Sequence, residues 1–345
     1  MLHLLYILIL VITLIYFNIF MLFEVTYLKQ IILKTLSIKH ENKTDKSIYN
    51  ILIGKKTHQT YFDATIEHLK LYYGCLPNLK FEQFEQIINE PIEHIDEPII
   101  GDFFYSQAIQ SVNTILLLTQ MISQKKHNHL TYQPIINDKE IQFKAKEIYV
   151  LIKEIGEDHF IEEIYQLFED MNTYFQTIYI HYLLAGFRET PYTIEQISLI
   201  EEIGIMDLRE HLVEEYQFIQ VAIQNKERYP IFSQINYQPL LNQQTFTTYE
   251  LLNRTYDMDQ LANIKRVKTH TIHDHIIEMY IKGYLNDKNL YISDDQYARF
   301  VEVIQQTPNQ NLKFYYESLN DFTYFEIKLM YVLYAMEGLN ATTRT

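Results

Sequence analysis

After an apolar start, the chain settles into stretches in which apolar positions recur every three and four residues, separated by short polar breaks. That spacing is the mark of amphipathic helices. It predicts helices over Phe23–Leu36, Ile48–Ile53 with Ser47 as cap, Thr57 to about Tyr73, Lys80–Ile88, Asp102–Ser123, Glu140–Ile155, His159–Phe187 and Met206–Lys226. Gly54, Gly74, Pro77 and Pro91 punctuate the series, and Thr193 with Gln196 reads as a capping box that starts one more helix. Residues 228–246 hold two prolines and no helical period, and read as a linker. Beyond them Thr247 with Glu250, Ser293 with Gln296, and Thr323 with Glu326 repeat the capping pattern. Helices are expected from each, with Asp259–Val267 and Thr269–Ile281 in between.

Composition supports helices. Only 8 Gly and 8 Pro occur in 345 residues, and sheets need frequent turn residues. The expected fold is all-α: a multi-helix domain over 23–227, the linker 228–246, and a helix-turn-helix, winged-helix-like domain over 247–340. Residues 1–22 carry no charge and are almost wholly apolar. At about 1.5 Å per residue they just span a bilayer core, and the lysines after them would hold the bulk of the chain in the cytoplasm. A second reading stays open, in which Met21 is the true start and the protein is cytoplasmic and nucleoid-associated.

The formal charge is −15, which excludes a general polyanion binder, because phosphate neutralisation needs clustered Lys and Arg. The balance is uneven. Leu22–Thr57 has seven Lys against Glu24, Glu41 and Asp45, and the acidic excess falls in His58–Phe246. Any DNA contact should therefore be local. The lone Cys75 excludes an internal disulfide and a cysteine zinc site.

Within the C-terminal domain, Leu261, Ala262 and Ile264 lie on one face of a second helix and Val267 sits in a turn. Thr269 is placed to cap a third helix, whose core face is Ile272, Ile276 and Met279. Its other face and first turn present His270, Thr271, His273 and Asp274. In a helix-turn-helix the third helix enters the major groove N-terminus first. From Leu261 to His273 there are three basic residues, Lys265, Arg266 and Lys268, and no acidic one. The candidate DNA-binding residues are thus Lys265, Arg266, Lys268, Thr269, His270, Thr271 and His273. A plain three-helix bundle is the competing reading of the same pattern.

Three segments resemble the helicase helix-turn-helix domain found at the C-terminus of RecQ helicases and in the YpbB proteins. They are "LANIKRVKTHTIHDHIIEMYIKGYL", "LYISDDQYARFVEVIQQ" and "LKFYYESLNDFTYFEIKLMYVLY". The matching features are Ala262, the Thr271-Ile272-x-x-His275 pattern, Gly283, and Tyr324-x-Glu326-Ile327. "IGKKTHQTYFDA" (Ile53–Ala64) and "LPNLKFEQFEQII" resemble the N-terminal part of YpbB proteins. The resemblance implies a non-catalytic factor that assists a RecQ-type helicase in DNA repair or recombination, or that docks DNA or a protein beside it. It carries over no catalytic residues. In that family the chain begins near what is here Met21.

Other motifs lead nowhere chemical. "GKKT" at Gly54–Thr57 fails the P-loop pattern, since Tyr49 stands where Gly is needed and Lys56 where Ser or Thr is needed. Lys55 and Lys56 read instead as a basic turn suited to a phosphate or partner contact. His270, His273 and His275 lack a fourth ligand, so no metal is expected, nor any cofactor or small-molecule substrate. His275 is expected on the hydrophobic side as a hydrogen-bonded residue. Glu162, Glu163, Glu169, Glu201, Glu202, Glu214 and Glu215 lack the Glu-x-x-His pairs of a carboxylate metal bundle and read as a solvated or partner-docking face. The 29 Tyr and 20 Phe fall at helical spacing and read as core.

Overall fold

Residues 29–91 and 95–342 are described in the computed structural model of the chain, and every regular element among them is helical. In chain order the helices are α1 (residues 29–37), α2 (Asp45–Leu52), α3 (His58–Ile66), α4 (Phe81–Ile88), α5 (Tyr105–Lys126), α6 (Lys139–Ile155), α7 (Glu157–Tyr174), α8 (Ile194–Ile200), α9 (Ile205–Ala222), α10 (Gln243–Leu251), α11 (Met258–Lys265), α12 (Thr269–Ile281), α13 (Asp294–Gln306), α14 (Leu312–Ser318) and α15 (Tyr324–Thr342). No β-strand forms among the described residues, in keeping with the expected all-α fold. No helix among them is long and apolar enough to cross a membrane. The apolar segment 1–22 lies outside the described residues.

Several caps match the sequence signals. Thr57, Thr193 and Ser293 each accept the backbone N–H three residues on. Glu326 binds back to the N–H and hydroxyl of Thr323. Others differ. Thr44, not Ser47, caps α2. Lys268 precedes α12, so Thr269 is its first helical residue. α10 begins at Gln243 behind Asn242, four residues before the expected Thr247. The helix expected over His159–Phe187 stops at Tyr174.

The chain forms two compact units, and neither is continuous in sequence. One comprises the described residues up to Ser37, Leu79–Pro98 and Gln110–Ile235. The other comprises Ile38–Asn78, Ile99–Ile109 and Asn236 onward. The boundary expected at 228–246 therefore misplaces α2 and α3, which belong with the helix-turn-helix. Nor is that stretch a free linker. Tyr229, Ile231, Phe232 and Ile235 are buried in the first unit, and Tyr237 is buried in the second.

In the first unit α6 packs on α7, and α9 packs on both α7 and α8. Two buried glutamates fasten its irregular segments. Glu215 on α9 accepts the N–H groups of Tyr179 and Ile180 at 2.6 and 2.8 Å, and Glu163 on α7 accepts those of Ile231 and Phe232 at 2.7 and 2.9 Å. Each thereby satisfies the open start of a 3₁₀ turn. These two are not part of a solvated acidic face, whereas Glu162, Glu169 and Glu202 are exposed as expected.

The second unit is built around one hydrophobic core. α3 gives it Tyr61, Phe62 and Ile66, α11 Leu261 and Ala262, α12 Ile272, Ile276 and Met279, and α13 to α15 Phe300, Tyr315, Ile327 and Met330. α3 is held in register by buried carboxylates. Asp63 accepts from Lys43, Ser47 and Gln59, and Glu67 accepts the backbone N–H of His40. Before α3 the chain turns at Gly54, whose φ is +68° and where a Cβ would lie 2.9 Å from the Cα of Gly74. The Tyr73 hydroxyl donates to the Gly54 carbonyl at 3.0 Å. Lys55 and Lys56 thus leave a tightly fixed corner.

Candidate nucleic-acid interface

α11 ends because Arg266 adopts a left-handed conformation, with φ +55°. Its N–H and that of Val267 return to carbonyls of α11. The chain then re-enters a helix after Lys268. This three-residue turn leaves the side chains of Arg266, Val267 and Lys268 exposed. Ile264, expected on the core face of α11, is 51% exposed beside them.

The seven candidate residues are engaged to different degrees. Arg266, Lys268 and His270 are exposed. Lys265 is half-buried, and its ammonium donates to the Gln244 carbonyl and the Thr247 hydroxyl of α10, while burial lowers its pKa. The Thr269 hydroxyl donates to Asp259 at 2.8 Å. Thr271 is half-buried. His273 is partly withdrawn, with its ring 4.6 Å from that of Phe325, and burial pulls its pKa down. Asp274 is paired with Lys328 at 2.8 Å.

Beyond its first turn α12 is enclosed. α3, α10, α11 and α15 all pack on it, and every residue from His275 to Lys282 is buried. α3 covers the outer face of that stretch, so the expected entry into a groove, N-terminus first, is left to the first turn. In that first turn His270 is exposed, Thr269, Thr271 and His273 are half-buried, and Ile272 is buried.

The polar groups inside this package satisfy one another. α10 runs antiparallel to α12. Thr245 donates to Glu278 at 2.5 Å, and Thr248 bonds to Nδ1 of His275 at 2.7 Å. Nε2 of His58 on α3 lies 3.0 Å from the Glu278 carboxylate. Lys282 donates to Glu278 at 2.6 Å and to the Leu240 carbonyl at 2.8 Å. Its ammonium also sits 3.8 Å from the Tyr61 ring centre. Burial alone would push the Glu278 carboxyl up, but His58, Lys282 and Thr245 outweigh it and hold the pKa at about 2. Burial, reinforced by the charges of His58 and Lys265, lowers that of His275 to about 4. His275 is thus buried and hydrogen-bonded, as the sequence indicated. The sequence carries no signal for Glu278 or His58, since one histidine at the start of α3 does not report that it meets α12.

A family model described as a helix-turn-helix domain matches residues 244–331. Those residues form a helix-turn-helix domain. The match opens on α10 and closes within α15, so it leaves out α2 and α3. Protein YpbB of Bacillus subtilis (strain 168) is 25% identical over 100 residues. That alignment covers 29% of this chain and 28% of YpbB, so the chain is compared with well under half of that protein. No solved structure matches.

Beside the helix-turn-helix lies the basic corner. Lys55 and Lys56 are exposed, and Lys56 stands near enough to Lys282 for its charge to lower that residue's pKa, though burial is the larger cause. Among the described residues no three His, Cys, Asp or Glu side chains gather as a metal site.

Proposed function

We propose that the chain is a non-catalytic DNA-associated factor. Its helix-turn-helix holds the sugar–phosphate backbone with the α11–α12 turn and the first turn of α12, and leaves base reading to others. The observation that carries this is the pairing of an enclosed α12 with an exposed Arg266, Lys268 and His270 at its mouth. Phosphate contacts fix position without carrying sequence information. Binding should therefore be indifferent to sequence and steep in salt. Fluorescence anisotropy of the full chain with random-sequence duplexes tests this. The reading fails if Arg266→Glu/Lys268→Glu binds as tightly as the native chain.

The resemblance to RecQ-associated domains extends the proposal to a helicase partner in repair or recombination. Co-purification from the native host, with and without nuclease, tests that extension. A second reading rests on charge. The segments of the first unit hold 26 of the 44 carboxylates against 13 Lys and Arg, while those of the second hold 18 against 16. In that reading the chain is a protein-docking module, with the acidic unit holding a basic partner. Recovery of a helicase by a chain that binds no DNA would select it.

A further inference from the structure

Three segments meet around the start of α10, and none contains a carboxylate: residues 48–62, 236–249 and 260–273. Their contacts place them together. His58 of the first segment bonds to Thr245 of the second at 3.2 Å. Lys265 of the third reaches the neighbouring Gln244 carbonyl and the Thr247 hydroxyl. Lys56 lies near Lys282, which itself donates to Leu240 just before α10. Between the two basic groups stand the exposed Gln243, Gln244 and Thr247, which are uncharged.

Most other basic groups of the unit are matched, Arg254 being a further exposed cation without a carboxylate partner among the described residues. Lys39, Lys43, Lys70, Lys282, Lys288, Arg299, Lys313 and Lys328 each pair with a carboxylate. Lys55, Lys56, Arg266 and Lys268 are exposed and have no carboxylate partner among the described residues. Beneath the start of α10, Glu278 is buried and already matched by Lys282 and His58, and Asp259, outside the three segments, accepts from Thr269 at the far end. A carboxylate-free strip with unpaired cations at both ends suits a chain of phosphates, which presents charge at regular spacing. A rigid corner at Gly54 and Gly74 fixes one end, so little ordering is needed on contact.

We infer that Lys55 and Lys56 extend the phosphate-contacting surface of the helix-turn-helix across the start of α10, so that one nucleic-acid backbone is held by residues from both ends of the sequence. This rests on the proposed function and adds a second contact, outside the segment that the family model matches.

The test is anisotropy of the full chain with a short random-sequence duplex across about 50 to 200 mM salt, comparing the native chain with Lys55→Gln/Lys56→Gln, Arg266→Gln/Lys268→Gln and the control Lys313→Gln. Each lost phosphate contact reduces the slope of log affinity against log salt by about 0.9. The Lys55/Lys56 variant should therefore lose about 1.8 in slope, and its deficit should shrink about twelvefold across that fourfold change in salt. The control should match the native chain. If the double variant melts early, the single variants, each expected to lose about 0.9, carry the test. Native-like binding by the Lys55/Lys56 variants, with Arg266→Gln/Lys268→Gln impaired, overturns this inference and leaves the proposed function standing. No binding by the native chain at low salt overturns both.

Discussion

Replacing Phe62 by alanine should destabilise the helix-turn-helix from a position far upstream of it in the sequence. Phe62 is 2% exposed on α3. Its ring meets Tyr331 of α15 edge-on at 6.2 Å, and the ammonium groups of Lys43 and Lys328 sit 5.4 and 5.2 Å from its centre. Truncation loses the transfer free energy of the ring and leaves a cavity walled by α12 and α15 neighbours that are themselves pinned. Such changes cost about 3–5 kcal/mol. That is a large share of the roughly 5–15 kcal/mol that holds a domain together. With about 1.4 kcal/mol per tenfold, amide exchange along Ile272–Ile281 should accelerate by about two to three and a half orders of magnitude if α3 and α12 open together. Hydrogen exchange read by mass spectrometry resolves this by peptide. If faster exchange stays confined to 45–73 while α12 keeps its protection, α3 is an appendage and the composite core is wrong.

Acid should weaken the second unit in two consecutive windows. His275 has a folded pKa of about 4 against an ordinary 6.5, so its contribution is full above 6.5 and is lost as pH falls toward 4. Glu278, at about 2 against 4.5, contributes fully above 4.5 and loses that contribution as pH falls toward 2. Each window is worth up to about 3 kcal/mol, and His275→Gln should flatten the upper one in urea titrations followed through α12 exchange. The first unit should respond in the opposite sense. Burial raises the Glu215 pKa from 4.5 to about 7 despite its two N–H donors, so that contribution is full below 4.5 and is lost as pH rises toward 7. Glu215→Leu would orphan the N–H groups of Tyr179 and Ile180 and should cost about 2–5 kcal/mol in exchange protection of α9, whereas a cost near zero would deny the glutamate its fastening role. Gly54→Ala places a Cβ against Gly74 at a left-handed φ and should destabilise α2–α3 by about 1–3 kcal/mol, measured by thermal melting.

Local chemistry was well marked in the sequence. The caps at Thr57, Thr193 and Ser293, the core face of α12 at Ile272, Ile276 and Met279, and the exposed Arg266 and Lys268 all follow from side chains within one or two turns. What was hidden is the long-range part. α12 looks two-faced because polar His275, Glu278 and Lys282 recur along it, the last two on what should be its wet side. They are dry only because His58, Thr245 and Thr248 arrive from other helices to match them. No periodicity reports such a partnership, so α2 and α3 were grouped with their sequence neighbours. The stretch from Tyr229 to Tyr237 misled for the complementary reason: proline removes its helical period, yet its apolar residues are pinned by Glu163.

On the proposed function, the helix-turn-helix meets DNA with α3 still seated on α12. Hydrogen exchange of the full chain with and without a saturating random-sequence duplex tests it most directly. Slower exchange should appear over 264–273, with α3 and the enclosed part of α12 unchanged. Faster exchange across His58–Ile66 on adding DNA would mean that α3 lifts away to free α12 for a groove, and would contradict the account.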